Sequence, residues 1–380
     1  MRVLPEWLQL PITLLTGKPY RGQNAPLLRP VHHLCAAFAS MAAGVAVTSA
    51  ALAAGRWWLF ALLPGWAVTL HGMRNLRMMI YHQCAHRNMY ARPRSDAAIG
   101  QLSSSLLIVQ NFRRYSEEHV ADHHAVHHMT LRDPTVQAIL LSLELRPGMT
   151  VRQMRRRLLA KLVSPRFHAA FAVARIRSFA HGSERGERAC ALLLYGAATA
   201  AAVVTGHWLT FIVAWLIPLF PMFQVSNTLR LCVKHTFPGQ DAGARSGKAY
   251  FASLTNAIFL GEAAPAPRSD RGALWPWLRW TARMVFLHFP ARYLVLTGDT
   301  VCHDFHHRRP RARNWANYIF ARQQDIERGH PGWPPYREAW GLGPAITLVF
   351  GSLAAADLEE FDPRKIQSVS KRELFSAFDD

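Results

Sequence analysis

The sequence is poor in cysteine and in acid. Its five cysteines (Cys35, Cys84, Cys190, Cys232, Cys302) are scattered over 380 residues with no CxxC pair. That excludes a disulfide framework and a zinc ribbon, and it suits a reducing compartment. No GxGxxG follows a predicted strand, and neither CxxCH nor a four-cysteine pattern occurs, so no flavin, haem or iron–sulfur motif is present. There is no internal repeat and no low-complexity tract. Only 24 Asp and Glu offset 44 Lys and Arg, leaving +20, yet charged residues make up just 18% of the chain and half of it is apolar. A disordered tail, a small secreted scaffold and a collagen-like chain are thereby excluded. What the chain has in quantity is uncharged apolar runs and histidine.

Leu34 to Ala54 holds 21 residues without a charge, enough to cross the roughly 30 Å hydrocarbon core at about 1.5 Å per residue. After a break at Gly55-Arg56, a second apolar run extends from Trp57 to about His71 and continues, more polar, to Tyr81. Ala189 to Thr205 and Trp208 to about Leu229 form a second hairpin with Gly206-His207 at its turn. Four transmembrane helices are expected. Residues 1–33 contain Pro5, Pro11, Pro19, Pro26 and Pro30 and lack a charged-then-apolar signal pattern, so the first span reads as a retained anchor.

The two hairpin turns carry a single basic residue, Arg56, whereas the N-terminal segment, residues 82–188 and everything after about 230 carry nearly all the rest. The positive-inside rule puts those three regions in the cytoplasm. The positive charge is then one face of a membrane protein, and no motif supports a nucleic-acid partner. The expected organisation is a cytoplasmic segment (1–33), a membrane domain (34–320) and a cytoplasmic tail (321–380). The expected fold class is all-α: a polytopic membrane protein with four transmembrane helices, interfacial amphipathic helices and a cytoplasmic helical cap carrying the histidine clusters.

The middle region is expected to be more than loop. Val151, Met154, Leu158 and Leu162 recur at helical spacing among Arg152, Arg155, Arg156, Arg157 and Lys161, and Phe167, Phe171, Ile176 and Phe179 follow Pro165 among Arg166, Arg175 and Arg177. Basic amphipathic helices of this kind lie in the headgroup plane; a solvated charged face is the plainer alternative. Residues 97–112 are apolar but short for a crossing, which suggests a re-entrant or buried helix. Trp275 to Leu296 reads as an interfacial helix, and 344–356 is ambiguous.

The histidines fall into groups. His82 and His86 are four apart, which on a helix places both rings on one face, one turn apart, the arrangement two ligands of one metal need. Residues 118–128 (EHVADHHAVHH) hold His119, His123, His124, His127 and His128, with Asp133-Pro134 shortly after. Two framings compete there, His119 with His123 and His124, or His124 with His127 and His128. His303, His306 and His307 form the third group, and His235 stands just after the last span. Isolated histidines (His32, His33, His71, His168, His181, His207, His288, His330) are read as ordinary polar residues. The clusters differ from these because each lies on the same predicted side, immediately beyond a span or a membrane-associated helix. A ligand set that is nearly all imidazole, without a thiolate pair, fits a structural zinc site poorly. Eight or nine histidines exceed the needs of one ion and suit two adjacent ions. Imidazole suits iron among the late first-row metals, and iron activates dioxygen, so iron is the expected metal. Asp122, Glu118, Asp304 and Asp299 are placed to accept ring N–H bonds; for each, a solvated carboxylate is the plainer alternative.

HQCAH (82–86), HVADHH (119–124) followed by Asp133-Pro134, and HDFHH (303–307) resemble the three histidine boxes of the membrane fatty acid desaturase and hydroxylase superfamily. Asn227-x-x-Arg230-x4-His235 is similar to a segment of bacterial members whose histidine is an extra ligand, and Pro310 past the third box matches too. The resemblance spans about residues 34–320. It implies a di-iron centre held by His82, His86, His119, His123, His124, His235, His303, His306 and His307, with Asn227, Asp122, Asp304, His127 and His128 as outer or alternative ligands. His127 and His128 duplicate the second box, and Arg308-Arg309 replace the usual aliphatic residue after the third.

The resemblance further implies an O2-dependent oxidoreductase acting on a fatty acyl or other long-chain lipid in an apolar tunnel, and desaturation is preferred over hydroxylation of an acyl, alkane or carotenoid-type chain. With no redox motif of its own, the chain needs a separate ferredoxin- or cytochrome-type carrier with its reductase, and a basic face would attract an acidic one. A histidine-rich metal transporter or a histidine-ligated haem protein is the competing class; transporters place ionisable ligands at the midplane, whereas these clusters lie at span ends. Gly44, Gly65 and the Ala-rich 198–202 are either tunnel space or helix-packing positions.

Overall fold

A computed structural model describes residues 4–120, 128–239, 247–265 and 274–366. The fold is helical, with two three-residue strands among the described residues. Among the described residues, three helices are long and apolar enough to cross a membrane: Pro30–Ala54, Arg185–Val204 and Trp208–Lys234. Pro30 opens the first, where the missing N–H costs nothing, and Gly55 at φ 64° closes it.

The expected second crossing is a helical path of mixed character. A 3-10 turn (Arg56–Ala61) leads into Leu62–Asn75, a π-helical stretch (Leu76–Tyr81) and a last turn, His82–Ala85. Its first part exposes Trp57, Trp58, Phe60 and Leu63. Its second part carries Arg74 and Arg77, both fully buried, which is why it is not as apolar as the other three. Arg74 donates to Asn227 of the last span at 2.7 Å, and Arg77 lies over the rings of Tyr81 and Tyr115 at 4.4 and 4.3 Å. Through these contacts the two buried arginines tie the second helix to the last span and to the segment that follows.

The first two helices pack at glycines. A Cβ on Gly44 would sit 2.3 Å from Thr69 Oγ1 and 2.6 Å from the Gly65 carbonyl, and one on Gly65 would sit 2.3 Å from Thr48 Oγ1. Both positions therefore serve close helix approach and leave no tunnel there.

Helices Val151–Leu162 and Pro165–Gly182 form as the spacing predicts. Thr150 and Gln153 make a reciprocal capping box on the first, and Ser164 caps the second, with Pro165 at its first position. Leu159, Val163, Val173 and Ile176 are exposed, in keeping with a membrane-surface face. Arg175 is an exception to the basic exterior: it is buried and donates to the carbonyls of Leu107, Ile108 and Leu219. It thus caps the helix Pro93–Leu107, which ends at Ile108 in the left-handed region, and holds it to the last span. Leu274–Arg283 is helical and exposes Leu274, Trp275 and Leu278. The ambiguous stretch near 344–356 is a core helix, Leu342–Ala354, burying Ile346, Val349, Phe350 and Leu353.

Beyond the last span the chain runs extended. His235 bridges Thr255, and strand β1 (Ala257–Phe259) pairs in parallel with β2 (Glu338–Trp340). Residues after 320 thereby clamp the segments on either side of the histidine groups.

Candidate metal centre

The histidine-bearing segments converge. His82 and His86 lie at the end of the second helical path, His119 follows the helix Phe112–Glu118, His235 follows the last span, and His303, His306 and His307 share the short helix His303–Arg308. All seven are buried or nearly so. They form two groups: His82, His86, His119 and His306 in one, His235, His303 and His307 in the other, with the ligand nitrogens of each group within 4.8 Å of one another. No cysteine or carboxylate belongs to either group among the described residues.

The distances have a metal-binding character. His306 Nε2 lies 2.8 Å from His82 Nε2 and 3.1 Å from His86 Nε2; His303 Nε2 lies 3.3 Å from His235 Nε2 and 3.1 Å from His307 Nε2. Two imidazole nitrogens about 2.0–2.1 Å from one ion, at roughly 90–110° to each other, are roughly 2.8–3.4 Å apart. The donor set therefore fits an ion in each group. One helix serves both: His303 and His307, four apart, face one group, while His306 turns to the other, and the stacked rings of His303 and His306 are 6.1 Å apart.

His128 packs beside the second group without belonging to its ligand set. Its ring is 4.5 Å from that of His235 and 5.0 Å from that of His307, and its Nδ1 lies 3.7 Å from Asp133 Oδ2. Asp133 also accepts the backbone N–H groups of Met129 and Thr135 at 2.8 Å each, so the Asp-Pro pair builds the turn that aims His128. His119 thus belongs to one group while His128 lies beside the other, a division that neither framing of residues 119–128 anticipated. His123, His124, His127 and Asp122 lie outside the described residues.

Burial lowers the pKa of both His82 and His303 well below the usual imidazole range. The neighbouring histidines and the buried Lys234 lower both further. Neutral rings with free nitrogen lone pairs are what a metal requires.

Of the expected ring acceptors, Asp304 behaves otherwise. Its carboxylate takes Arg322 Nε and Nη2 at 3.0 and 2.8 Å, both side chains buried, and no ring N–H among the described residues. A buried carboxylate one residue from His303 is satisfied more fully by a two-pronged guanidinium than by an imidazole. Arg322 also reaches Glu338 of β2, so the pair anchors the third-box helix. Glu118 accepts Arg114 and Gln110, and Asp299 accepts Gln83 at 3.2 Å. Asn227 accepts Arg74 and so acts through the second helix.

Sequence reasoning missed Tyr115. Its hydroxyl lies 3.2 Å from His82 Nδ1 and its ring stacks on His119 at 5.0 Å. The signal was there: Tyr115 is one helical turn before His119. Ser116 adds a bond to the Ala85 carbonyl at 2.8 Å, so this helix links the first and second boxes.

The fatty acid desaturase family model matches residues 56–263. The chain belongs to the fatty acid desaturase family. No curated protein matches it. The matched stretch takes in the first two boxes and His235 but ends before the third; geometry alone brings His303, His306 and His307 into the same centre. Membership makes this desaturase-family protein a membrane-associated oxidoreductase with a lipid substrate and a histidine-rich metal site.

Proposed function

We propose that this chain is a di-iron acyl desaturase that uses O2 and two external electrons to introduce a double bond into an alkyl or acyl chain. The supporting observation is the pair of buried imidazole groups bridged by one helix. His82, His86, His119 and His306 would hold one iron, and His235, His303, His307 and His128 the other, with His123, His124 and His127 remaining available to either. When bound, the irons supply the O2 activation and C–H oxidation that no side chain can perform. The chain's own residues keep the ligand rings neutral and fixed: Tyr115 holds His82, Asp133 faces His128, and Arg322 locks the helix of the third box through Asp304.

In the same reading, Trp57 to Tyr81 completes a set of four spans, and the histidine groups and both termini face the cytoplasm of a bacterial inner membrane. The N-terminal segment, the 34–320 membrane domain and the tail after 320 are its parts. The test is expression in a host of simple lipid composition with mass spectrometry of its acyl chains. Loss of two hydrogens supports desaturation, and gain of an oxygen would point to hydroxylation. His306→Ala and His235→Ala should each abolish the product. Unchanged lipids in the host carrying the parental protein with a suitable carrier would overturn the reading.

A further inference from the structure

We infer that the arginine-rich cleft beyond the third box is the docking surface for an acidic, one-electron carrier protein. The inference rests on the desaturase reading and specifies its electron source. The cleft has a volume of 660 Å³, and Phe305, Arg309, Arg311, Asp325 and Arg328 are among the residues that line it. Asp325 is consumed locally: it accepts Arg309 at 3.2 Å and the Tyr336 hydroxyl at 2.7 Å. Arg311 and Arg328 are exposed, as is Arg313 beside them, and among the described residues none of the three has a side-chain hydrogen bond or ion pair. Unpaired exposed guanidinium groups around a concavity produce a focused positive potential, which selects and steers an acidic partner.

Position makes this patch different from the rest of the basic surface. Phe305 lies between His303 and His306, so the cleft floor is part of the helix that serves both metal groups. The first box surfaces at the same place. Exposed Arg87 directly follows His86, and its neighbour Asn88 donates to the Ala312 carbonyl at 3.0 Å while accepting Trp315 Nε1 at 2.9 Å. Two ligand-bearing segments thus reach the exterior side by side, giving a short covalent route from a docked carrier to the site.

An anionic membrane is the competing occupant, and the surface argues against it. Headgroup-plane segments interleave basic residues with exposed apolar ones, as the helices 151–162 and 165–182 do. Between Phe289 and Trp340 no large apolar side chain is exposed among the described residues. The carrier supplies what the proposed reaction consumes: two reduced carriers each give up one electron, and with two protons and the two hydrogens taken from the chain, one O2 becomes two waters.

The probe is a reduced acidic [2Fe–2S] ferredoxin with its reductase and NADPH, presented to the metal-loaded, full-length protein. Arg311→Glu/Arg313→Glu/Arg328→Glu should lower carrier-driven kcat/KM at least tenfold and flatten its salt dependence. Metal content and turnover driven by dithionite should stay at parental levels. Arg152→Glu/Arg156→Glu should spare the carrier response and weaken binding to phosphatidylglycerol vesicles. The inference is overturned if the triple variant matches the parent with the carrier, if it loses vesicle binding instead, or if ferredoxin fails to drive a parent that dithionite drives. No product from the parent with dithionite would sink the desaturase reading itself.

Discussion

Ring orientation decides the chemistry at the scale of single residues. Tyr115→Phe removes the hydroxyl at His82 Nδ1 but keeps the ring stacked on His119. Loss of such an outer partner weakens metal binding by about 10-fold or more, to be measured by competition with a chelating dye. Tyr115→Leu, which also loses the stack, should bind more weakly still. Asp299 offers a pH test. Burial is the main cause that pushes its carboxyl up to about 6, against a partial offset from the Gln83 hydrogen bond. A raised carboxyl pKa favours the neutral acid in the folded state, so its contribution to stability is present below about 4 and is lost as pH rises through about 6. Asp299→Asn should therefore stabilise the metal-free protein above pH 6 by about 2–3 kcal/mol and leave it unchanged below pH 4, as read by thermal unfolding in detergent. An equal effect at both pH values would contradict the assignment.

Between elements, glycine contacts and buried arginines set the spacing that brings the boxes together. Gly65→Val would drive a side chain into Thr48, where a Cβ already meets Oγ1 at 2.3 Å. Overpacking of this kind costs about 1–3 kcal/mol or more, and a fall of several degrees in Tm together with reduced metal loading is expected. Arg175→Met would leave the Leu107, Ile108 and Leu219 carbonyls without their donor, at about 1–3 kcal/mol each; proteolysis near residue 108 should then become faster. These contacts mark the limit of sequence reading. Uncharged length made the first, third and last spans legible, and helical spacing made 151–162 and 165–182 legible. The inward turn of Arg175 was not, because a guanidinium among basic neighbours looks like surface until the carbonyls it serves are known. The same holds for Arg74 and Arg77, which make the second helical path polar.

For the whole molecule, the boxes themselves were legible because metal ligation demands particular residue types at short spacing. Which histidine joins which group was not, since that depends on how His119 and His128 leave opposite ends of one segment. The division of labour within His303–Arg308 was equally hidden, although its i, i+3, i+4 pattern permits it. Because the two groups share that helix, removing metal should loosen both: chelation is expected to lower the unfolding temperature and to expose the 303–308 backbone to hydrogen exchange. The most direct measurement of the central claim is metal analysis combined with X-ray absorption at the iron edge on purified protein. Two irons per chain are predicted, with a nitrogen-dominated shell at about 2.0–2.2 Å and no sulfur near about 2.3 Å; His306→Ala and His235→Ala should each reduce the iron content by about half. A single zinc per chain, a haem signature, or a sulfur-rich shell would contradict it.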